Sequence, residues 1–585
     1  MRLNLQLLDL RSGRTEHAVL RADPETPVAE LVSALAGLVP GEPFVRGSPL
    51  GRHGRLADSA LLDGDVVTFG FPATPRAHRE GLELAVVGGP HGGASWPLRP
   101  GTVTVGRSAT ADIRLEHHTV SRIHCRLTVT GGTCVVEDLG STNGTWVACR
   151  RLTTAVPVAP GQVIEVGACL LEVRSAERAD ADLRPDEAGG RAFNRPARIR
   201  QSRAAPSVTL PGAPGEREAP GFQWAQVVTP LAVAAPGAVI FGPLAVVFAL
   251  TSAAVGATSS IAGRRRETRR AAREADRYRA ELAEAEARIL ELAQREVAQA
   301  RLQFPDPAAL RRIATGPTRR LWERRAHDDD ALVLRVGVAE REASVTLTTR
   351  GGDRPPEARK ILVPVAVDLA EAGVLGVAAP PPSARAAARW LLAQLAALRS
   401  PTDLRFVLLT DADAGPDWEW CRWLPHFQAD ELGAPAALVG NDRATRDVRV
   451  KELLALLDAR QAMARDDRVE HFTPSIVVLF DGIRALRTIP GVPRLLRDGP
   501  AVGLYAIGLD TDVTRLAEEG RAQLVVDGDD PDLAALEVDG AEEVSGILFD
   551  RLDAELADEL GRALAPIRDA GGEEGTATIP ATVRF

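Results

Sequence analysis

Between Ala219 and Gly263 the chain carries no charged residue. A membrane-spanning helix needs about 20 consecutive, mostly apolar residues, so this stretch is about twice the length of one span. Pro236, Gly237, Gly242 and Pro243 fall near its middle, and these residue types break or weaken a helix interior. The pattern predicts two apolar helices joined by a tight turn, a transmembrane α-hairpin over 222–263. Arginines flank it on both sides: Arg195, Arg198, Arg200 and Arg203 before, Arg264, Arg265 and Arg266 after. Positive flanks stay cytoplasmic. A multi-pass plasma-membrane protein with both termini cytoplasmic is therefore expected, against the alternative of an Ala-rich helix buried in a soluble core.

The chain of 585 residues is too long for one domain, and its remaining segments differ in pattern. Over 1–75, alternating runs ("LNLQLLDL", "EHAVLRA") precede a helical stretch ("PVAELVSALAGLV") and a further strand. That order suggests a small ubiquitin-like β-grasp domain. Over 82–175 nearly every run is a short alternating strand closed by a Gly turn, which reads as a β-sandwich. Residues 176–221 are rich in Pro, Arg, Ala and Gly without periodicity and read as a linker. Residues 264–304 are helix-forming and dense in opposite charges, a helical stalk or short coiled coil. From 305 to 585, continuous apolar strands alternate with amphipathic helices, the pattern of an α/β domain with a mainly parallel sheet.

The formal net charge of -9 gives no case for nucleic acid binding. The cysteines (Cys125, Cys134, Cys149, Cys169 and Cys421) form no CxxC pair, so reduced, mostly buried thiols are expected. The N-terminal "MRLNLQLLDL" lacks the residue order of a signal peptide. Lysine occurs only at Lys360 and Lys451.

Three motifs stand in order inside the predicted sandwich: "VGR" (Val105–Arg107), "TVSRIHC" (Thr119–Cys125) and "DLGSTNGTW" from Asp138. Together they resemble a forkhead-associated (FHA) domain, which recognises phosphothreonine through GR, SxxH and NGT loops. A phosphate dianion needs converging charged and neutral donors, and the residue types fit. Arg107 offers a forked guanidinium, Ser121 a hydroxyl and Arg122 a second charge. The resemblance assigns Thr142 and Asn143 to the phosphopeptide as well, Asn143 through its backbone. It gives Gly106, His124 and Gly144 structural roles, with His124 bracing two loops. A sandwich that kept the fold and lost the ligand is the competing reading. "VACRR" (Val147–Arg151) departs from the Asn-Gly often found at that turn.

Further phrases also occur in order: "FNRPARI" (193–199), the uncharged hairpin, "FPDP" (304–307), "RLWERRAHDDDALVLRVG" (320–337), "DLRFVLLTDADAGPDWEWCRWLPHF" (403–427) and "TPSIVVLFD" (473–481). This set resembles the N-terminal half of membrane-anchored FtsK/SpoIIIE-type ATPases of type VII (ESX-like) secretion systems. The resemblance implies a degenerate ATPase-like domain over 305–585. A phosphate loop needs GxxxxGK[ST], yet the expected turn reads "GVAAPPPSARAAARW" (Gly376–Trp390) and no lysine follows a Gly-rich loop. Proline has no amide hydrogen to offer phosphate. Asp481 ends a Walker-B-like strand, but Gly482 replaces the usual second acid. No catalytic residue, cofactor or metal site is expected. Trp418, Trp420, Trp423 and Phe427 read as core, and Asp328, Asp329 and Asp330 as a solvated turn.

These readings combine into a membrane-anchored, phosphothreonine-binding scaffold subunit, or N-terminal part, of a type VII secretion translocase. Its expected partners are a threonine-phosphorylated protein, secretion membrane components or a downstream ATPase, and further copies in an oligomer. The alternatives are a membrane-tethered FHA signalling adaptor unrelated to secretion, and an ATP-driven translocase of which this chain is a fragment. The family's first genuine ATPase module would be expected after residue 585, which leaves a fragment, a truncated gene and a split subunit all open.

Overall fold

The structure, a computed structural model, describes residues 1–72, 81–175, 179–186, 190–198, 207–212, 244–349, 360–428, 438–465 and 471–571, with scattered positions between 225 and 242. It divides into two compact units. The larger comprises Met1–Arg200, Ala300–Arg341 and Leu362–Phe585, the smaller Gln201–Gln299 and Glu342–Ile361.

The larger unit begins with strands β1 (Arg2–Asp9), β2 (Thr15–Arg21), β3 (Pro43–Val45), β4 (Ser48–Pro49) and β5 (Val66–Phe69) in the order β2-β1-β5-β3-β4. β1 and β5 are parallel and the other pairs antiparallel. The helix Val28–Leu38 buries Val28, Leu31, Val32 and Leu35, a stripe at helical spacing, in one core with Leu3, Leu5, Leu7 and Phe69.

Residues 82–175 form two sheets, of five and six strands. The hairpin Cys125–Thr130 to Thr133–Asp138 shows how the sequence dictates this. Its two-residue turn is Gly131-Gly132, both with positive φ (57° and 83°), the backbone that matches strand twist and favours glycine. Cys125, Leu127 and Val129 then point inward and their neighbours outward. The shared core contains Leu84, Val105, Leu127, Val136, Ile164 and Leu171.

The rest of the larger unit is built on a ten-stranded sheet. Strands Ala522–Val526, Val374–Ala378, Leu504–Asp510, Ser475–Asp481, Leu404–Leu409 and Val439–Gly440 run parallel. Leu533–Val538, Val544–Phe549 and Val333–Glu342 extend it in antiparallel fashion. The helix Pro381–Leu398 is buried almost all round. Trp418, Trp420, Trp423 and Phe427 are buried in the same core, as their spacing suggests, on 3-10 turns rather than an α-helix.

Both small domains are packed onto this platform. Ala85, Val87 and Leu170 of the sandwich form a core with Ala308 and Val338. The buried Arg335 donates to Asp550 at 2.7 Å and to the Val87 carbonyl at 2.9 Å. Towards the N-terminal domain, Arg562, stacked over the platform's own Trp423 at 4.0 Å, donates to the Gly64 carbonyl at 3.1 Å.

Part of the 176–221 segment read as linker is integral to the fold. Leu183–Pro185 pairs with Arg191–Phe193, which adds in parallel to Ile567–Asp569. Phe193 is buried beside Trp322. Arg195 pairs with Asp403 and Asp569 at 2.6 and 2.9 Å. The solvated-turn reading of Asp328 and Asp330 is likewise overturned: both lie largely buried and pair with Arg198 at 3.3 and 2.6 Å. These strands and charges are held by partners remote in sequence, so no local period marks them.

In the smaller unit, Ser207–Leu210 pairs in parallel with Thr346–Thr349. One helix runs from Leu244 to Gln303 without a break at the 263/264 boundary between expected hairpin and stalk. Its first part exposes Val246, Val247, Phe248, Leu250, Val255 and Ile261. It is the one helix among the described residues long and apolar enough to cross a membrane. Apart from those scattered positions, the first arm of the expected hairpin lies outside the described residues. Further along, Arg277–Glu281 and Arg288–Glu291 pair one turn apart at 2.8 and 2.6 Å.

Candidate functional site

Three loops converge at one end of the sandwich, each launched by a strand. The Gly101–Gly106 strand delivers Arg107, the loop before Cys125 carries Ser121 and Arg122, and the loop after Asp138 carries Thr142 and Asn143. Two backbone bonds zip the first loop to the second: Arg107 N–H to the Ser121 carbonyl at 3.0 Å and Ser108 N–H to the Arg122 carbonyl at 3.1 Å. The approach requires Gly106, because a Cβ there would stand 2.2 Å from the Arg122 carbonyl oxygen.

The second and third loops are tied by side chains. Thr142 N–H donates to Ser121 Oγ at 3.0 Å. Asn143 Nδ2 donates to the Thr119 carbonyl at 2.7 Å. The buried His124 reaches both loops. Its Nδ1 accepts from Ser121 N–H at 3.1 Å, so its proton sits on Nε2, which donates to the Gly144 carbonyl at 3.2 Å. Burial lowers its pKa from the ordinary imidazole value, only partly offset by the Gly144 bond. A neutral, fully used imidazole is a brace rather than a ligand group.

Asp138 is the organising residue that the motif reading left without a role. Its carboxylate accepts from Ser141 Oγ at 2.6 Å, Thr145 Oγ1 at 2.7 Å, Gly140 N–H at 3.0 Å and Ser141 N–H at 3.1 Å. Burial pushes this carboxyl up, but the bonds from Ser141 and Thr145 outweigh it and hold it below the usual range. An acid followed by small hydroxyl residues is the turn signature that could have shown this. Gly144 has φ 77°, and a Cβ there would lie 2.5 Å from Arg151 Nε, so Arg151 lies against the loop. Trp146 Nε1 donates to the Asn143 carbonyl at 3.2 Å.

What this scaffold leaves free is positive charge. Arg107 and Arg122 are exposed, and neither guanidinium has an ion pair among the described residues. Ser121 is half-buried between them and the exposed Thr142. The structure thus brings Arg107, Ser121, Arg122, Thr142 and Asn143 to one rim, with Gly106, His124 and Gly144 beneath. Two cations and neutral donors on a rigid base form an arrangement suited to a phosphate-bearing ligand.

The Walker-B-like position is arranged differently. Asp481 Oδ2 accepts from Trp418 Nε1 at 2.9 Å, Arg385 Nε at 3.0 Å and Thr410 Oγ1 at 3.0 Å. Arg385 also donates to Asp417 at 2.8 Å. The helix after strand Val374–Ala378 starts with Pro381 and Pro382 and has no side-chain cap, so two amides of its first turn are absent.

A family model for the FHA domain matches residues 103–167. The ESX secretion system protein YukB of Bacillus subtilis is 27% identical over 213 residues, covering 34% of this chain and 13% of YukB. The ESX-3 secretion system protein EccC3 of Mycobacterium tuberculosis is 33% identical over 180 residues, 27% of this chain and 13% of EccC3. The FHA domain-containing protein FhaB of the same species is 37% identical over 91 residues, 16% of this chain and 59% of FhaB. The chain thus spans only a small part of YukB and EccC3. It is an FHA-containing, EccC-like protein, homologous across part of its length to ESX secretion system proteins.

Proposed function

We propose that this chain is a membrane-anchored phosphothreonine-binding scaffold of a type VII secretion machine. The carrying observation is the pair of exposed guanidinium groups, Arg107 and Arg122, without an ion pair among the described residues, on a rim whose other polar groups are tied to one another's loops. Losing a hydrogen bond to a charged group costs about 1.5–3 kcal/mol, tenfold or more in affinity. Titrating the detergent-solubilised chain with phosphothreonine peptides tests the reading. Wild type should bind them over their unphosphorylated forms, and Arg107→Ala should lose that preference. Equal affinities in the two proteins would end it.

The N-terminal sheet, with its parallel β1–β5 pair and packed helix, supports a ubiquitin-like β-grasp domain. The exposed apolar residues from Val246 to Ile261 support membrane insertion, with the 222–243 stretch proposed as the hairpin's other arm and both termini cytoplasmic. Labelling of cysteines introduced before 220 or after 265 from outside intact cells would contradict that topology. The ten-stranded domain serves as a platform without ATP turnover, a reading supported by the prolines at 381 and 382 and by the three donors on Asp481. Calorimetry with ATP and magnesium should show no binding, and micromolar affinity would overturn the reading.

A further inference from the structure

His117 and His118 lie just before the second loop of the phosphate rim, and Asp532 immediately precedes the platform strand Leu533–Val538. One ligand atom from each comes together, all within 4.8 Å of one another. His117 Nε2 is 3.1 Å from Asp532 Oδ2, and the two imidazole rings are 4.4 Å apart. Asp532 is 2% exposed and is held from two sides. Its N–H donates to Asp530 Oδ1 at 3.0 Å, and Arg551 donates to its Oδ1 at 2.6 Å. Its Oδ2 is buried and faces the His117 imidazole, with no other hydrogen-bond donor on it among the described residues.

From this geometry we infer a divalent transition-metal site, with zinc the ion that fits it best, ligated by His117, His118 and Asp532. The donor set is two imidazole nitrogens and a carboxylate oxygen, which suits zinc and its neighbours rather than magnesium or calcium. Three protein ligands and one open position form a familiar tetrahedral set, whose ligand atoms stand about 3.4 Å apart. The His117–Asp532 pair is already near that spacing. The exposed His118 closes the rest by rotation and leaves the open position facing water.

The surroundings of His117 agree. Its Nδ1 lies 2.8 Å from Thr119 Oγ1. When Nδ1–H donates there, Nε2 turns a lone pair towards Asp532 Oδ2, and a cation is what two such atoms need between them. Metal-bound histidines characteristically donate their second nitrogen in this way. The competing tautomer accepts the Thr119 N–H at 3.4 Å and makes a simple imidazole–carboxylate pair.

A bound ion would cross-link the sandwich to the platform. It would also act on the rim, because the Thr119 carbonyl holds Asn143. The site stands whether or not the rim binds phosphothreonine.

The test uses the tag-free full chain in detergent, stripped with a chelator and titrated with zinc chloride against a chromophoric competitor. One zinc per chain is expected at micromolar affinity or tighter, weakened about tenfold or more by His118→Ala. His118 is exposed, so this variant should fold. Asp532→Asn should weaken binding similarly. X-ray absorption at the zinc edge should show nitrogen and oxygen neighbours only. Unchanged affinity in His118→Ala, sulfur in the zinc shell, or no binding by wild type would each overturn the site and leave the plain His117–Asp532 pair.

Discussion

The phosphate rim and the Walker-B-like position both end in motif residues, yet they treat charge in opposite ways. At the rim, the supporting side chains spend their hydrogen bonds on the loops themselves: His124 on two loops, Asp138 on four donors, Asn143 on the Thr119 carbonyl. Arg107 and Arg122 are left over. At Asp481 the protein itself supplies three donors to one carboxylate oxygen, Oδ2. Motif letters do not separate a binding group from a structural one; whether its charge is already answered by the fold does. That difference is why we propose a ligand site at the first place and a platform at the second.

The comparison can be broken by mutation. Asp481→Ala should carry the largest cost, because it removes one of the two carboxylate partners of Arg385 and the acceptor of Thr410 Oγ1 and Trp418 Nε1. About 3 kcal/mol of stability is expected, the low end for breaking a buried pair, read by denaturant unfolding. A stable variant with altered nucleotide binding would show instead that Asp481 is a functional acid. Asp138→Ala removes a four-donor acceptor and should cost about 2 kcal/mol. Peptide affinity should fall with it, although Asp138 is assigned no contact with ligand. Undiminished peptide binding would mean that the loop is shaped by something else.

Acid should act through two buried histidines, His124 in the sandwich and His426 in the platform, whose Nε2 lies 2.9 Å from the Arg399 carbonyl. Burial lowers the His124 pKa, and pushes that of His426 down to about 3. The unfolded chain takes up these protons first, so both groups favour the fold above their unfolded value of about 6.5. Stability should fall as pH drops below that value, until each folded pKa is passed. For His426 the loss is about 1.4 kcal/mol one pH unit below 6.5. Thermal unfolding between pH 7 and 5 measures it, and a flat profile would contradict the buried, neutral assignment. The smallest effect belongs to Arg122→Ala. An exposed charge contributes about 0.2–1 kcal/mol, so phosphopeptide affinity should weaken by no more than about fivefold. A loss as large as that of Arg107→Ala would make Arg122 an equal partner.

The sequence alone determined the local shapes. Gly131-Gly132 enforces its hairpin, alternating Cys125, Leu127 and Val129 choose the inner face, and GR, SxxH and NGT place the rim residues, because turn angles and side-chain periods are properties of a few consecutive residues. Continuous apolar runs likewise marked the parallel strands, and the tryptophans of 418–423 marked the core. The tertiary structure decided the partners. Leu183–Pro185 and Arg191–Phe193 read as linker because they are too short for a period, and they gain their place from Ile567–Asp569. Asp328 and Asp330 looked solvated until Arg198 met them. Asp138 stands in a quoted motif, but its four bonds depend on how the loop closes. His117, His118 and Asp532 share no spacing, and only the docking of sandwich on platform brings them together. Pairing between distant segments depends on which surfaces bury each other, and no local pattern encodes that.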